Sequence, residues 1–219
     1  LFSGLLYISC GSVGLGGDVL KARDRAWVLS SWQVIVDEYP AMGTEIRITT
    51  APYNFKGFMG MRNFTIETMD GKKLAWANSN WTHLAISTGI PARLTPADTD
   101  NYILGEKLEM DYAPRKIKLP DDLTSQESFT VQKHHLDTNH HVNNCQYICM
   151  AEDFLPEDFK IYQMRAEYKM QAKLGDIICP KVKAETGKVI VSLDDTDGKA
   201  YAIIEFSKNN GKNPPGQDE

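Results

Sequence analysis

The chain has 219 residues, of which 42% are hydrophobic, and a formal charge of -5 at pH 7. This length and composition allow one large domain or two small ones with a buried core. The negative charge argues against a general nucleic-acid-binding protein, since phosphate contacts need a surplus of Lys and Arg on one face. The four cysteines form no CxxC pair, which favours a protein of a reducing compartment over a small disulfide-stapled one.

The opening stretch, LFSGLLYISCGSVGLGGDVL, is apolar but does not predict a membrane span. Glycines interrupt it, and Asp18 follows before the roughly 20 apolar residues that a spanning helix requires. It also lacks the basic start of a signal peptide. Because the sequence does not begin with Met, we expect that the natural protein starts earlier and that a first strand precedes this stretch.

Four segments rich in β-branched and aromatic residues follow, with turn signals between them, and they predict an antiparallel meander. They are WVLSSWQVIV (27–36), TEIRITTAPY (44–53), MRNFTIETMD (61–70) and KLAWANSNWTHLAI (73–86). Between the last two, Asp70 and Gly71 predict a hairpin with a tight type I′ turn, in which both central residues have positive φ.

The second half of the chain repeats the pattern of the first. AMGTEI at 41–46 corresponds to KLGDII at 173–178, and MDGKKLA at 69–75 corresponds to TDGKAYA at 196–202. The aligned glycines are separated by similar numbers of residues in both pairs. Self-similarity at a nearly fixed offset indicates two copies of one structural unit.

Each copy is expected to contain one helix. In the second copy it is predicted over 143–155, with Asn143 as the N-cap and Gln146 completing a capping box. Its apolar residues surround the helix almost completely, which indicates burial on most sides. In the first copy the helix would lie within 3–24. A curved antiparallel sheet wrapped around one central helix, present twice, fits these patterns, so we predict an α+β, tandem (double) hotdog fold.

The predicted domain boundaries follow from changes in composition. We expect an N-terminal hotdog over 1–100, incomplete at its start, and a C-terminal hotdog over 124–208. The segment 101–123 reads as an inter-domain linker, because it combines prolines and charges without sustained periodicity. The tail, 209–219, is rich in Pro, Gly and polar residues and is expected to be flexible.

The segment HHLDTNHHVNNCQYICM, 134–150, contains four of the five histidines. It is predicted to pass from a strand over 128–137 into the second helix. The first turn of a helix presents unpaired N–H groups and the positive end of the dipole, which stabilise negative charge on a carbonyl oxygen. Asn143 and Asn144 are the candidates for such an oxyanion site.

Asp137, Asn139 and His141 alternate just before this helix, and an extended backbone would direct their side chains to one side. The set suits hydrolysis of an activated acyl group. His141 can accept a proton from water, and Asp137 can orient it, act as the base or attack the acyl carbon. Asn139 would position the water or polarise the carbonyl.

Three alternatives remain open for this segment. Its histidines, with Cys145 and Cys149, are numerous enough for a zinc site, although we expect His134 and His135 to point to opposite faces of a strand and both cysteines to be buried. Cys145 could act as a nucleophile near the helix N-terminus. Asp137 could simply cap a turn.

The sequence LDTNHHVNNCQY resembles the Asp-x-Asn-x-His-Val-Asn-Asn signature of the acyl-acyl carrier protein (acyl-ACP) thioesterases of plant plastids and bacteria. RAWVLSSWQVIVDEYPAMGTEI and MRAEYKMQAKLGD resemble strands of the same family, so the similarity runs from about residue 21 to residue 206. The resemblance implies a tandem hotdog that hydrolyses fatty acyl-ACP thioesters without a cofactor or metal, in the bacterial cytoplasm. It also implies that Asp137, Asn139 and His141 are catalytic.

One position departs from the family pattern. The plant enzymes carry a Glu-Cys pair on the strand after the catalytic helix, and the equivalents here are Gln171 and Ala172. Gln171 cannot act as a base, but it can hydrogen-bond a water, so it is a candidate for water positioning. An acyl-CoA thioesterase with the same chemistry and an inactive acyl-binding hotdog protein are the alternative functions.

The resemblance also predicts a partner and a substrate tunnel. The acidic carrier protein would dock on basic residues, although such charge runs are usually only solvated surface; the candidates are Lys21, Arg23, Arg25, Arg115, Lys116 and Lys118. A tunnel in the first hotdog would be lined by some of its aromatic residues: Trp27, Trp32, Trp76, Trp81, Phe55 and Phe58. A monomer and a homodimer of tandem hotdogs are both compatible with the sequence.

Overall fold

The computed structural model describes Gly14 and residues 16–209. They form two compact units, which meet in the chain between Tyr112 and Ala113, inside the predicted linker. Most of the region predicted to hold the first helix, and all of the predicted tail except its first residue, lie outside the described residues. Among the described residues, no helix is long and apolar enough to cross a membrane.

Unit 1 contains a four-stranded antiparallel sheet, and each strand lies where the β-branched and aromatic residues between turn signals predicted one. The sheet order is β2-β3-β4-β1. The strands are β1 (Arg25–Val36), β2 (Ile46–Lys56), β3 (Met59–Thr68) and β4 (Lys73–Ala85). A short helix, α1 (Gly17–Ala22), precedes β1, and another, α2 (Pro96–Thr99), follows β4.

The β3–β4 hairpin forms as predicted, but its turn is not type I′. Asp70 is not among the described non-glycine residues with positive φ, whereas Gly71 has φ 93°. The N–H of Gly71 donates to the Thr68 carbonyl at 3.0 Å, and the N–H of Thr68 donates to the Lys72 carbonyl at 2.9 Å. Three residues therefore link the strands, in a type I turn followed by a left-handed glycine. The prediction was wrong because an Asp-Gly pair fits both turns and does not fix the loop length.

The turn after the corresponding strand of unit 2 has the same geometry. The N–H of Gly198 donates to the Asp195 carbonyl at 3.1 Å, and the N–H of Asp195 donates to the Lys199 carbonyl at 2.8 Å. Gly198 also has positive φ, 79°. These are the positions that the sequence repeat aligns with the β3–β4 turn, so the shared geometry supports the duplication.

The strands of unit 2 are also antiparallel and follow the order β7-β10-β9-β8-β5, with β6 pairing with β8. β9 and β10 are almost entirely buried, and they form the centre of the unit's core. The strands are β5 (Thr124–Ser125), β6 (Phe129–Thr130), β7 (Gln163–Tyr168), β8 (Ile177–Glu185), β9 (Lys188–Asp194) and β10 (Ala200–Ser207). Helix α3 (Asn144–Glu152) packs against β9 and β10.

The predicted linker divides between the two units, and each part makes hydrogen bonds within its own unit. In unit 1, the N–H of Leu108 and the hydroxyl of Tyr112 both donate to Oδ1 of Asn63, each at 3.1 Å. In unit 2, Ile117 is buried in the core, and its N–H donates to the Glu167 carboxylate at 3.0 Å. These contacts tie most of the segment down as part of the two folds.

Helix α3 begins where the sequence predicted. Asn143 is its N-cap, and Oδ1 of Asn143 accepts a hydrogen bond from the N–H of Cys145 at 2.9 Å. This bond goes to the second helical residue, whereas a capping box would use the third, Gln146. The helix ends at Glu152, three residues before the predicted end.

The prediction that this helix is buried on most sides is wrong. Cys145 and Cys149 are free and exposed. Only one face packs against the sheet, and the buried residues of the helix are Tyr147, Met150 and Ala151. The error came from counting cysteines as core residues, because a small thiol is compatible with either environment.

Candidate active site

The segment before α3 is not the strand that the sequence predicted. β6 ends at Thr130, and a short 3₁₀ helix covers Lys133–His135. The rings of His134 and His135 lie 4.1 Å apart and at 64° to each other. The two histidines therefore do not point to opposite faces of a strand. A 3₁₀ helix has three residues per turn, which leaves consecutive side chains closer in direction than a strand does.

Asp137 holds together a tight turn at the centre of the motif. Its Oδ1 accepts hydrogen bonds from the N–H of Asn139 at 2.8 Å and from the N–H of His141 at 3.2 Å. The N–H of Asp137 in turn donates to the His141 carbonyl at 2.8 Å. His140 has φ 60°, which reverses the chain. Asp137 thus has the turn-capping role that was the simpler alternative, and this role uses Oδ1.

The three candidate catalytic residues lie within this one turn. Leu136 and Val142 pair across its base. Asp137 and His141 are half-buried, and Asn139 is exposed. The expected extended backbone is wrong, so alternation along a strand does not orient these side chains. Among the described residues no hydrogen bond is found to Oδ2 of Asp137, which leaves that oxygen able to accept a proton.

The chain that follows β7 supports this turn from behind. His141 pairs with Lys173, and the N–H of Val142 donates to the Ala172 carbonyl at 2.9 Å. Gln171 is exposed and lies next to the residue that makes this bond. The candidate for water positioning is therefore brought beside the turn by backbone pairing.

The N-terminus of α3 offers one of the two predicted oxyanion donors. The N–H of Asn143 donates to the His135 carbonyl at 2.8 Å, and Oδ1 of its side chain caps the helix, so its backbone N–H and Oδ1 are both occupied. In the described part of the chain the N–H of Asn144 has no hydrogen-bond acceptor. The hydroxyl of Tyr168 donates to the Asn144 carbonyl at 3.1 Å, which anchors that residue. Of these two backbone N–H groups, that of Asn144 is therefore the one left for an oxyanion.

Tyr147 is the residue of this region that sequence reasoning missed. Its Oη accepts a hydrogen bond from the N–H of Ala172 at 2.8 Å. Burial raises its pKa to about 12. The sequence marked Tyr147 only as an apolar position of the helix. Because Tyr147 and Ala172 are 25 residues apart in the sequence, no local pattern indicated this contact.

The described residues contain no group of three or more His, Cys, Asp or Glu side chains that could hold a metal ion. Nδ1 of His135 is occupied instead, since it accepts a hydrogen bond from the N–H of Gln132 at 3.0 Å. Burial and the neighbouring His134 lower the pKa of His135. The neutral ring that results suits this hydrogen bond.

Unit 1 contains a small recess with a cavity volume of about 20 Å³, room for about one water-sized group. Its lining is mainly apolar and aromatic: Trp27, Pro52, Phe55, Gly60, Met61, Arg62, Trp81 and Tyr102. Trp27, Phe55 and Trp81 were among the aromatic residues named from the sequence. Trp32 and Trp76 are buried elsewhere in the unit, and Phe58 is 44% exposed.

The six basic residues predicted to dock a carrier belong to different units. In unit 1, Lys21 is exposed, Arg23 donates to the Ala97 carbonyl at 3.3 Å, and Arg25 donates to the Asp24 carbonyl at 2.9 Å. The three residues of the other cluster lie in unit 2 and are all exposed: Arg115, Lys116 and Lys118. Each cluster is therefore a separate candidate docking surface.

Two family models match the chain. The acyl-ACP thioesterase N-terminal domain matches residues 8–102, and the acyl-ACP thioesterase C-terminal domain matches residues 106–208. Together they account for most of the sequence. The turn from Asp137 to His141 lies within the second match.

Curated relatives are similar over a large part of the chain. The chloroplastic palmitoyl-acyl carrier protein thioesterase of Arabidopsis thaliana is 28% identical over 178 residues, which are 75% of this chain and 42% of that protein. The corresponding protein of Cuphea hookeriana is 30% identical over 164 residues, which are 68% of this chain and 39% of that protein. The chain therefore spans less than half the length of these relatives.

Solved structures show the same fold. An acyl-ACP thioesterase from Bacteroides thetaiotaomicron has a TM-score of 0.85 at 21% identity, covering 94% of this chain and 86% of that one. The 12:0-ACP thioesterase from Umbellularia californica has a TM-score of 0.82 at 19% identity, with the same coverage, 94% and 86%. These likenesses, together with the antiparallel strands of each unit, confirm the predicted α+β tandem hotdog fold.

Proposed function

The chain belongs to the acyl-ACP thioesterase family, and we propose that it hydrolyses fatty acyl-ACP thioesters to free fatty acid and ACP, the step that ends fatty acid synthesis. The observation that carries this proposal is the turn at the N-terminus of α3. It holds an acid, an amide and an imidazole within five residues, beside a helix N–H that lacks an acceptor among the described residues. These are the groups that thioester hydrolysis requires.

Asp137 and His141 would carry the proton transfers. Oδ1 of Asp137 is held by two backbone N–H groups, so the carboxylate is fixed in orientation. Its Oδ2 would either take a proton from water or attack the thioester carbon, and both routes remain part of the proposal. In the first route the proton taken from water would pass through His141 to the leaving thiolate as the water oxygen replaces sulfur on the acyl carbon. In the second route the thiolate would leave as Oδ2 forms an anhydride with the acyl group, and a water would then hydrolyse that anhydride and give its proton through His141 to the thiolate. No metal or cofactor takes part in either route.

The negative charge that develops on the thioester oxygen would be received by the N–H of Asn144. A donor at the first turn of a helix adds the favourable end of the helix dipole to the hydrogen bond. Asn139, exposed in the same turn, would position the water or polarise the carbonyl. Gln171 would hydrogen-bond the same water, with its amide in place of a basic group.

The acyl chain would enter at the recess of unit 1, because its aromatic and aliphatic lining suits a hydrocarbon. The recess holds only about one water-sized group, so its lining side chains would have to move apart to admit the chain. The carrier protein, which is acidic, would dock on one or both basic clusters described above. The cysteines described in unit 2 are free, which suits a reducing compartment. The bacterial cytoplasm is the proposed location, whereas the curated plant relatives are chloroplastic. A monomer or a homodimer would carry out the same reaction.

Release of free fatty acid from a panel of acyl-ACP thioesters of different chain length, with the same acyl groups on CoA in parallel, tests the proposal. Preferential hydrolysis of the ACP series is expected. Faster hydrolysis of the CoA series would make the protein an acyl-CoA thioesterase. Tight binding of fatty acid with no hydrolysis of either series would refute the enzymatic function and leave an acyl-binding protein.

A further inference from the structure

Tyr147 connects helix α3 to the segment behind the catalytic turn. Its side chain is 1% exposed, and its Oη accepts the hydrogen bond from the N–H of Ala172 at 2.8 Å. Ala172 is fully buried and belongs to no helix or strand. A buried N–H outside regular structure needs an acceptor, and here the tyrosine hydroxyl supplies it.

From Ala172 the connection continues to the catalytic turn. The Ala172 carbonyl accepts the hydrogen bond from the N–H of Val142 at 2.9 Å, and the following residue, Lys173, pairs with His141. Two hydrogen bonds in series therefore lead from the hydroxyl of Tyr147 to the residue next to His141. Ala172 therefore connects Tyr147 to the end of the turn.

A second tyrosine anchors the helix side of the same region. The Tyr168 hydroxyl donates to the Asn144 carbonyl, and the rings of Tyr147 and Tyr168 lie 6.2 Å apart. Tyr168 thus holds the helix N-terminus, while Tyr147 holds the turn. Together they fix the candidate oxyanion donor relative to His141.

We propose that Tyr147 is a positioning residue for the hydrolysis, acting through Ala172 to hold His141 at a fixed distance from the N–H of Asn144. The inference rests on the proposed function. Small displacements of a catalytic group lower the rate of the chemical step far more than they lower ground-state binding. Tyr147 therefore acts on kcat.

Replacing Tyr147 by Phe removes the acceptor and keeps the ring. The N–H of Ala172 would then be buried without a partner, and the segment would shift to reach water or another acceptor. Tyr53→Phe is a matched control, because the Tyr53 hydroxyl also makes one hydrogen bond, to Oδ1 of Asn78 at 2.9 Å, but in unit 1. The control removes the same group at a place where no catalytic residue has been assigned.

Steady-state kinetics on an acyl-ACP substrate give the first test. Tyr147→Phe is expected to lower kcat about tenfold, the effect of losing one buried hydrogen bond, with KM changed less than about twofold. Tyr53→Phe is expected to keep the wild-type kcat. Wild-type kcat in Tyr147→Phe would overturn the inference. An equal loss in both variants would also overturn it, because it would show a general effect of stability.

Hydrogen exchange gives a test that needs neither activity nor a folded variant. In the wild-type protein the amide of Ala172 should exchange as slowly as the amides of β9 and β10, although it lies outside the sheet. Rapid exchange at Ala172 would overturn the inference. If Ala172 is protected but the protein hydrolyses no thioester, the proposed function is refuted, and this inference fails with it. The two failures are distinguishable, because rapid exchange at Ala172 refutes the inference alone.

Discussion

The carboxylate of Asp137 and the backbone of His141 hold each other in place across one turn. Oδ1 of Asp137 accepts the N–H of His141 at 3.2 Å, and the His141 carbonyl accepts the N–H of Asp137 at 2.8 Å. The same carboxylate therefore serves the fold and, in the proposed mechanism, the reaction. The two roles use different properties of the side chain, because capping needs only an acceptor oxygen, whereas catalysis needs a group that takes a proton or attacks carbon.

Asp137→Asn separates these two roles. The amide oxygen can still accept from Asn139 and His141, so the turn and the midpoint of thermal unfolding should stay close to wild type. An amide is neither base nor nucleophile, so kcat should fall at least about 100-fold. Asp137→Ala should lose both the turn cap and the activity, with a free energy of unfolding lower by about 1–3 kcal/mol. A wild-type kcat in Asp137→Asn would leave Asp137 as a turn cap alone.

Gln171→Ala tests the departure from the plant pattern. If the Gln171 amide positions the attacking water, its removal should lower kcat several-fold, up to about tenfold, and leave KM and stability unchanged, because the side chain is exposed. Measurement of kcat and KM on one acyl-ACP substrate is sufficient. Unchanged kinetics would remove Gln171 from the mechanism and leave water positioning to Asn139.

Gly60→Ala should shorten the preferred acyl chain. A Cβ at this position would lie 3.1 Å from ring carbons of Trp27 and 3.2 Å from Phe55, so it would narrow the recess. Hydrolysis of the longest thioesters that the wild type accepts should fall, while shorter ones keep their rate. Phe58→Ala is the control, since Phe58 is an exposed neighbour that does not line the recess. The same chain-length profile in wild type and Gly60→Ala would place the acyl chain elsewhere.

The sequence predicted the sheets well because each strand carries its own signal. Runs of β-branched and aromatic residues between turn residues define β1 to β4 without reference to the rest of the chain. The Asp70-Gly71 pair correctly located a hairpin but left its loop length open. Cys145 and Cys149 misled the prediction of burial, because thiols are common both in cores and on surfaces.

The sequence predicted which residues form the candidate site, but not the backbone conformation that arranges them. The spacing of Asp137, Asn139 and His141 identified the segment, but it could not show a turn, since the turn depends on pairing with Lys173 more than thirty residues later. For the same reason the hydrogen bond between Tyr147 and Ala172 was invisible in the sequence. Contacts between residues far apart in sequence decide how the motif is presented.

Charge reversal of the basic clusters tests the docking surface. Replacing Arg115, Lys116 and Lys118 together by Glu should raise KM for acyl-ACP at least about fivefold and leave KM for the same acyl group on CoA within about twofold. The corresponding triple variant of Lys21, Arg23 and Arg25 tests the other cluster.

Lys160→Glu is the control for that experiment, because Lys160 is an exposed lysine of unit 2 outside the cluster. If carrier docking is electrostatic, the effect of the triple variant should also shrink at high salt. Equal changes in KM for both substrates would count against docking at that cluster. A similar increase in the Lys160 variant would show a dependence on net charge.

His135 should make the region of the catalytic turn sensitive to acid. Burial and His134 lower its pKa below the ordinary value of 6.5, and its Nδ1 must stay unprotonated to accept the N–H of Gln132. The unfolded chain therefore binds the proton at a higher pH than the folded protein does. The stability associated with His135 is complete above about pH 6.5 and falls as the pH drops from there through the lower, folded-state pKa.

His135→Asn isolates this contribution, because its Oδ1 can replace Nδ1 as the acceptor and does not titrate. Denaturant unfolding of both proteins should show a smaller loss of stability on acidification in the variant, with the two curves parallel above pH 6.5, the ordinary histidine value. An NMR titration of the wild type should place the His135 transition below that value. A transition at or above 6.5 would contradict the burial of the ring as the source of this acid sensitivity.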